Sequence, residues 1–191
     1  MIKHFIDLDN FTKTELRNIL SFAAKIKKNQ KKYSNILSNK SLGLLFEKES
    51  TRTRTSFNIG MQKLGGNVIE LDSKKIGFGK RESISDVIQT LSQYIDVLMI
   101  RNNSHEELVQ CANYNKISII NGLSNYSHPC QVLSDIFTIT EKLGKIENKQ
   151  YDAAQVLFPT RPNTPMLSER FGRRLVSLVF LCSLIHNRDI R

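Results

Sequence analysis

Four short apolar runs, each parted from the next by a stretch with helical periodicity, leave this chain few folds to choose from. The runs are Leu42 to Phe46, Asn67 to Leu71, Asp96 to Ile100 and Ile117 to Ile120. Their length and apolar content are those of strands buried within a sheet. Ahead of the first, Thr12-Lys-Thr-Glu15 forms a capping box. Leu16, Ile19, Leu20, Ala23 and Ala24 then recur at helical spacing, which predicts an amphipathic helix to about Lys28. A second helix is predicted up to Leu64, where Gly65-Gly66 stops it. Glu82 to Tyr94 reads as a third, Ser104-His-Glu-Glu107 opens a fourth to about Tyr114, and His128 to Leu143 is the last. Strands that alternate with helices are joined by right-handed crossovers into a parallel sheet covered on both faces. The expected fold class is α/β, a parallel sheet flanked by helices in three αβα layers, forming one domain over residues 1–146.

Composition narrows the function. The 191 residues are 40% apolar and 24% charged, a globular balance that excludes wholesale disorder, collagen and coiled coil. The longest apolar candidate, Leu175 to Ile185, contains two serines and a cysteine and is too short to cross a membrane. The first nine residues lack the layout of a signal peptide. Three cysteines without CxxC spacing point to neither a disulfide framework nor a zinc cage. The cytoplasm is the expected location, with no membrane partner. A net charge of +10 raises nucleic acid as a partner. However, Lys25, Lys27, Lys28, Lys31 and Lys32 cluster near the end of a predicted helix and read as its solvated face. No nucleic-acid-binding motif accompanies them, so no nucleic-acid partner is expected. A small anionic substrate is equally compatible with the charge.

The chain changes character near residue 150. Residues 1–150 hold 17 lysines and 5 arginines, whereas 151–191 hold 6 arginines and no lysine. Pro159, Pro162 and Pro165 also fall in that second part. One reading is a proline-rich linker entering another element. The other, which we favour, is that residues 147–191 are an atypical tail foreign to the ancestral fold, through truncation or a shifted reading frame.

In parallel sheets, ligands bind where strands hand over to helices, and three segments at such points carry chemistry. Ser50-Thr-Arg-Thr-Arg54 follows the first strand. Free amides at a helix start, three hydroxyls and two guanidiniums suit a phosphate-like dianion. It is not a Walker loop, and an ordinary Ser/Thr cap with surface arginines has the same spacing. Arg101 ends the third strand, placed either to steer a ligand oxygen or to face solvent. His128-Pro-Cys-Gln131 opens the last helix, where the macrodipole disfavours imidazolium and suits a neutral donor to a carbonyl. Cys130 reads as a small core residue.

Taken together, Phe46-Glu-Lys-Glu-Ser-Thr-Arg-Thr-Arg-Thr-Ser-Phe57, Met99-Ile-Arg101 and His128-Pro-Cys-Gln131 resemble the carbamoyltransferase family in order and spacing. The connecting pieces Leu64-Gly-Gly66, Gly79-Lys-Arg-Glu-Ser83, Ser104-His-Glu-Glu107 and Asn121-Gly-Leu123 do so too. The Cys of HPCQ is similar to the ornithine carbamoyltransferases, since aspartate carbamoyltransferases usually carry Thr there. The resemblance covers residues 1–146, the carbamoyl-phosphate half of a two-domain subunit. It implies that Ser50, Thr51, Arg52 and Thr53 hold the phosphate of carbamoyl phosphate while Arg54 supports the loop. It further implies that Arg101, His128 and Thr53 polarise the carbamoyl carbonyl, the catalytic role, and that Gln131 binds the carbamoyl NH2. No metal or organic cofactor is implied.

The implied reaction is carbamoyl transfer to the side-chain amine of ornithine, giving citrulline and phosphate, a step of arginine biosynthesis carried out by homotrimers. Two departures stand out. Family members often carry Gln ahead of a Leu-Gly pair where this chain has Gly77-Phe-Gly79. In addition, the GDxxN, Ser-Met-Gly and HCLP segments of the amino-acid-binding half do not occur after Lys149. Two alternatives follow, a non-catalytic fragment that only binds carbamoyl phosphate, or a carbamoyltransferase for another amine or amino acid.

Overall fold

The computed structural model describes residues 2–79 and 81–143. The expected tail at 147–191 lies outside the described residues, as do 144–146 of the expected domain. The order of elements is α1 (Lys13–Lys28), β1 (Ser41–Phe46), α2 (Thr51–Lys63), β2 (Asn67–Asp72) and α3 (Ser73–Ile76), followed by α4 (Ile84–Leu91), β3 (Val97–Arg101), α5 (His105–Asn113), β4 (Ser118–Leu123) and α6 (Pro129–Leu143). All strand pairings are parallel, in the spatial order β2-β1-β3-β4. The α/β fold class read from the sequence is the one observed.

The strand order positions the site. From β1 the chain steps outward to β2, then crosses back past β1 to β3 and outward again to β4. The direction of winding therefore reverses between β1 and β3. Right-handed crossovers on either side of such a reversal put their helices on opposite faces of the sheet. The core divides accordingly. Leu42, Leu44, Val97 and Met99 pack with Phe57 and Met61 of α2 and with Leu133 and Phe137 of α6. Leu45, Leu98 and Ile100 pack with Ile88 of α4 and Leu108 and Cys111 of α5. Neighbouring strand residues thus serve opposite faces, as the pleat requires, and β1 and β3 read as continuous apolar runs because both faces are covered.

The two sheet edges differ. β2 is mostly solvent-facing, with Ile69 43% exposed. The outer edge of β4 is covered by the N-terminal segment, where the Phe5 N–H donates to the Ile119 carbonyl (2.7 Å) and the Asn121 N–H to the Phe5 carbonyl (2.8 Å). On the inner edge β4 runs to Leu123 rather than stopping at Ile120, because Asn121 pairs with Ile100 and Leu123 with Arg101 of β3, so Asn121-Gly122 is strand and not turn. In contrast, α4 is shorter than the Glu82–Tyr94 expectation. The Ser83 hydroxyl caps its start, and its end tightens into i−3 bonds at Gln93 and Tyr94.

Cys111 and Cys130 are buried thiols. Burial first, and then the Glu107 charge, push the Cys111 thiol up to about 12, so it packs as a small apolar group. Among the described residues no helix is long and apolar enough to cross a membrane.

The capping box of α1 forms as read. Glu15 N–H donates to Thr12 Oγ1 (3.2 Å) and Thr12 N–H to Glu15 Oε2 (2.8 Å), while Lys3 pairs with the same carboxylate. The Lys3 bond, and then the Thr12 bonds, draw the Glu15 carboxyl from 4.5 to about 2. A depressed folded-state value means that its contribution is present above the unfolded value and is lost as pH falls through the folded one. The melting-temperature gap between wild type and Glu15→Gln is therefore expected at about pH 7, shrinking as the pH is lowered through the window from 4.5 to about 2. A gap independent of pH in thermal melts would refute the assignment.

Candidate functional site

The C-terminal ends of β1 and β3 lie side by side, with Phe46 in register with Arg101, at the point where the winding reverses. A crevice opens there because the loops leave the sheet in opposite directions. From β1 the chain enters α2 through Ser50, whose hydroxyl is the N-cap and accepts from the Thr53 N–H at 3.4 Å. The first-turn amides of Thr51 and Arg52 have no intrahelical carbonyl to bond, and the helix dipole adds positive potential.

Arg101 is aimed into this crevice by an irregularity in the sheet. Ile100 pairs with Asn121, but Arg101 pairs with Leu123, so Gly122 is an extra residue on β4. A bulge of this kind redirects the neighbouring side chain. A Cβ at Gly122 would lie 2.3 Å from Met99 Sδ and 3.2 Å from the Ile100 carbonyl oxygen, so a larger residue would displace the Met99 side chain from the core.

Arg101 Nη1 donates to Thr53 Oγ1 at 3.2 Å, and the Ser50 hydroxyl donates to the same oxygen at 3.0 Å. Arg101 Nε is buried with no hydrogen-bond partner among the described residues. Burial, and then the nearby Arg52 charge, hold the Arg101 guanidinium below its ordinary value. Two like charges and an unused buried donor in one crevice are the complement of an anion. The β1–α2 loop is fastened to Arg101 from behind. The Glu47 N–H donates to the Arg101 carbonyl (2.9 Å), and the Glu47 carboxylate accepts from the Asn103 N–H (3.3 Å).

The remaining wall comes from α6. His128 immediately precedes the helix, and its carbonyl accepts from the N–H groups of Gln131 (3.0 Å) and Val132 (3.2 Å). Gln131 Nε2 donates to Asp135 Oδ1 at 2.8 Å, one turn further along. The result is one cavity of about 240 Å³, lined by Ser50, Arg52, Thr53, Arg101, His128 and Gln131 among others.

Six of the eight residues named from the sequence thus meet around one cavity. The other two, Thr51 and Arg54, do not line it. Arg54 turns outward, with Nη2 3.1 Å from Glu49, Nε 3.7 Å from Glu70 and its guanidinium stacked over Phe46. Residues two apart on a helix point about 200° apart, so with Arg52 and Thr53 facing the cavity, Thr51 and Arg54 face away. Sequence reasoning passed over Ser56 and Ser134 as site residues, although both line the cavity. Their signal was available, because each lies three residues beyond a named site residue on the same helix face.

An α/β domain with a cationic, hydroxyl-lined crevice at its topological switch point belongs to the class of phosphate-ligand binding domains. Residues 3–141 match the family model for the aspartate/ornithine carbamoyltransferase carbamoyl-phosphate-binding domain. The chain belongs to that family. It is 42% identical over 153 residues to the ornithine carbamoyltransferase of Brucella ovis, a match covering 78% of this chain and 49% of the relative. It is 37% identical over 195 residues to that of Rhizobium meliloti, covering 98% of this chain and 63% of the relative. Among solved structures, ornithine carbamoyltransferase from Pyrococcus furiosus superposes with a TM-score of 0.72 at 38% identity, over 75% of this chain and 47% of that one. The chain spans about half the length of the first of these relatives.

Proposed function

We propose that the cavity binds carbamoyl phosphate, and that the transfer step runs where an amino-acid-binding domain faces it, with the side-chain amine of ornithine as acceptor. In this reading Ser50, Thr51, Arg52 and Thr53 hold the phosphate, Thr51 through its backbone amide. Arg54 supports the loop from outside through Glu49, Glu70 and Phe46. Arg101, His128 and Thr53 donate to the carbamoyl oxygen. Asp135 occupies Nε2 of Gln131, which leaves the Gln131 carbonyl as acceptor for the carbamoyl NH2.

The amine nitrogen attacks the carbamoyl carbon, the carbon–oxygen bond to phosphate breaks, and phosphate leaves with the electron pair while the amine loses a proton. Negative charge gathers on the carbonyl oxygen and on the departing phosphate, where fixed cationic donors stabilise it most. Citrulline and phosphate are the products. A homotrimer in the cytoplasm is the assembly this reading expects.

The observation that carries the reading is Arg101, bonded to Thr53, flanked by the Arg52 charge and with its buried Nε unpartnered among the described residues, in the same cavity as His128. The span of about half the relatives' length favours a second reading, in which this chain alone binds carbamoyl phosphate without turning it over. Titration calorimetry with phosphonoacetamide, a hydrolysis-resistant analogue of carbamoyl phosphate, is expected to show binding. Its absence from folded protein would overturn both readings. Radiolabelled citrulline formed from carbamoyl phosphate and ornithine by this chain alone would reject the second. Arg52 is solvent-exposed, so Arg52→Ala is expected to weaken the analogue about tenfold, the worth of one screened charge-assisted contact.

A further inference from the structure

The end of β4 holds a buried polar hub to which the binding reading gives no task. Asn121 is fully buried. Its Nδ2 donates to the Ile6 carbonyl at 3.0 Å and lies 3.2 Å from Oγ and 3.3 Å from the carbonyl oxygen of Ser127. Its own backbone carbonyl accepts from Cys130 Sγ at 3.4 Å. One residue therefore grips the chain on both sides of His128.

Ser124, 7% exposed, completes the hub. Its Oγ accepts from the N–H groups of Tyr126 (3.3 Å) and Ser127 (3.2 Å) and lies 2.9 Å from His105 Nδ1. Its N–H donates to the Ser127 carbonyl at 3.1 Å. The loop 124–127 is thus closed on itself and tied to both β4 and α5. Buried polar groups are expensive where apolar side chains would fill the space. The bonds made through Asn121 Nδ2 and Ser124 Oγ rigidify what they touch, while Asn121 Oδ1 has no partner among the described residues. What they touch is the residue before His128.

We propose that Asn121 and Ser124 are positioning residues for His128, fixing the turn from which the imidazole meets the carbamoyl oxygen. The inference rests on the carbamoyl-phosphate reading and deepens that site. His128 precedes the first residue of α6, so the helix alone does not hold its backbone on the upstream side. The hub supplies that restraint. A donor to a developing oxyanion loses its effect steeply with displacement, so the restraint bears on function and not only on folding.

The test is Ser124→Ala in the full chain, with melting temperature, phosphonoacetamide affinity and histidine ring NMR resonances as readouts. His4, which accepts from the Ile119 N–H near the start of β4, is the internal reference. The variant is expected to stay folded, to bind the analogue about tenfold more weakly, and to shift or broaden the His128 ring resonances while those of His4 stay in place. Asn121→Asp, isosteric but without the Nδ2 donors, is expected to produce the same His128 signature. Folded Ser124→Ala with unchanged His128 resonances overturns the proposal, as does unchanged affinity in a wild type that binds. If the wild type does not bind, the functional reading fails, while the comparison of His128 with His4 still decides the positioning role.

Discussion

Arg101→Met is expected to weaken phosphonoacetamide binding roughly 100-fold, the scale of about 3 kcal/mol for a lost charge-assisted contact in a partly buried site. The same substitution should leave the protein, measured without ligand, as stable as the wild type to within about 1 kcal/mol. The two halves of this expectation have one cause. The Arg101 guanidinium is disfavoured by burial and by the Arg52 charge, with a hydrogen bond to Thr53 and no partner at Nε among the described residues to offset them. Methionine keeps much of the side-chain volume, removes the like-charge repulsion and loses only the Thr53 bond. A dianion beside Arg52 and Arg101 would offset both the burial of the Arg101 charge and its repulsion from Arg52, so binding gains what the free fold gives up. Calorimetric titration and thermal melts of the same preparations check both halves. A variant that loses stability in proportion to affinity would show that Arg101 is a structural residue and the anion assignment wrong.

Much of this site could be read before any coordinates because its chemistry and its placement coincide. Ser50 to Thr53, Arg101 and His128 carry charges and hydroxyls at the three positions where apolar runs end, and a parallel sheet brings such ends together. β1 and β3 were readable because both of their faces are covered, so burial leaves an uninterrupted apolar run.

What escaped depends on contacts between distant segments. The extra residue Gly122 is a matter of register between β3 and β4, and a glycine after Asn121 carries the same local signature as a turn. The outer edge of β4 is covered by Phe5, more than a hundred residues earlier. The outward turn of Arg54 is different. Helical geometry separates it from Arg52 without any tertiary information, once the run Thr51-Arg-Thr-Arg54 is recognised as the first turn of a helix and not as a loop.

Gly65→Ala is expected to invert the pattern of Arg101→Met, with stability reduced and affinity kept. The C-terminus of α2 closes as a Schellman turn, in which the Gly66 N–H donates to the Met61 carbonyl (2.9 Å) and the Gly65 N–H to the Gln62 carbonyl (3.1 Å), with Gly65 at a φ of +85°. An L side chain in that left-handed region costs about 1–2 kcal/mol. A Cβ there would also lie 2.8 Å from the Ser34 carbonyl oxygen and 3.1 Å from Asn35 Cα, both backbone atoms that cannot swing aside. The sum of the two is about 3 kcal/mol, or about 10 °C in melting temperature for a domain of this size. Gly79→Ala separates the two causes. Gly79 also has a positive φ, +67°, but among the described residues its Cβ would meet only Ile84 side-chain atoms at 3.7 Å and beyond, so conformational cost alone should apply, about 1 kcal/mol. The Schellman turn closes the end of the 13-residue α2 opposite Ser50 and Thr53, so the folded fraction of Gly65→Ala should bind phosphonoacetamide with wild-type affinity. Melts of both glycine variants, with titration below the transition, measure this directly. Equal losses at the two glycines would show that the Ser34 and Asn35 backbone yields, and that the turn is softer than its hydrogen bonds imply.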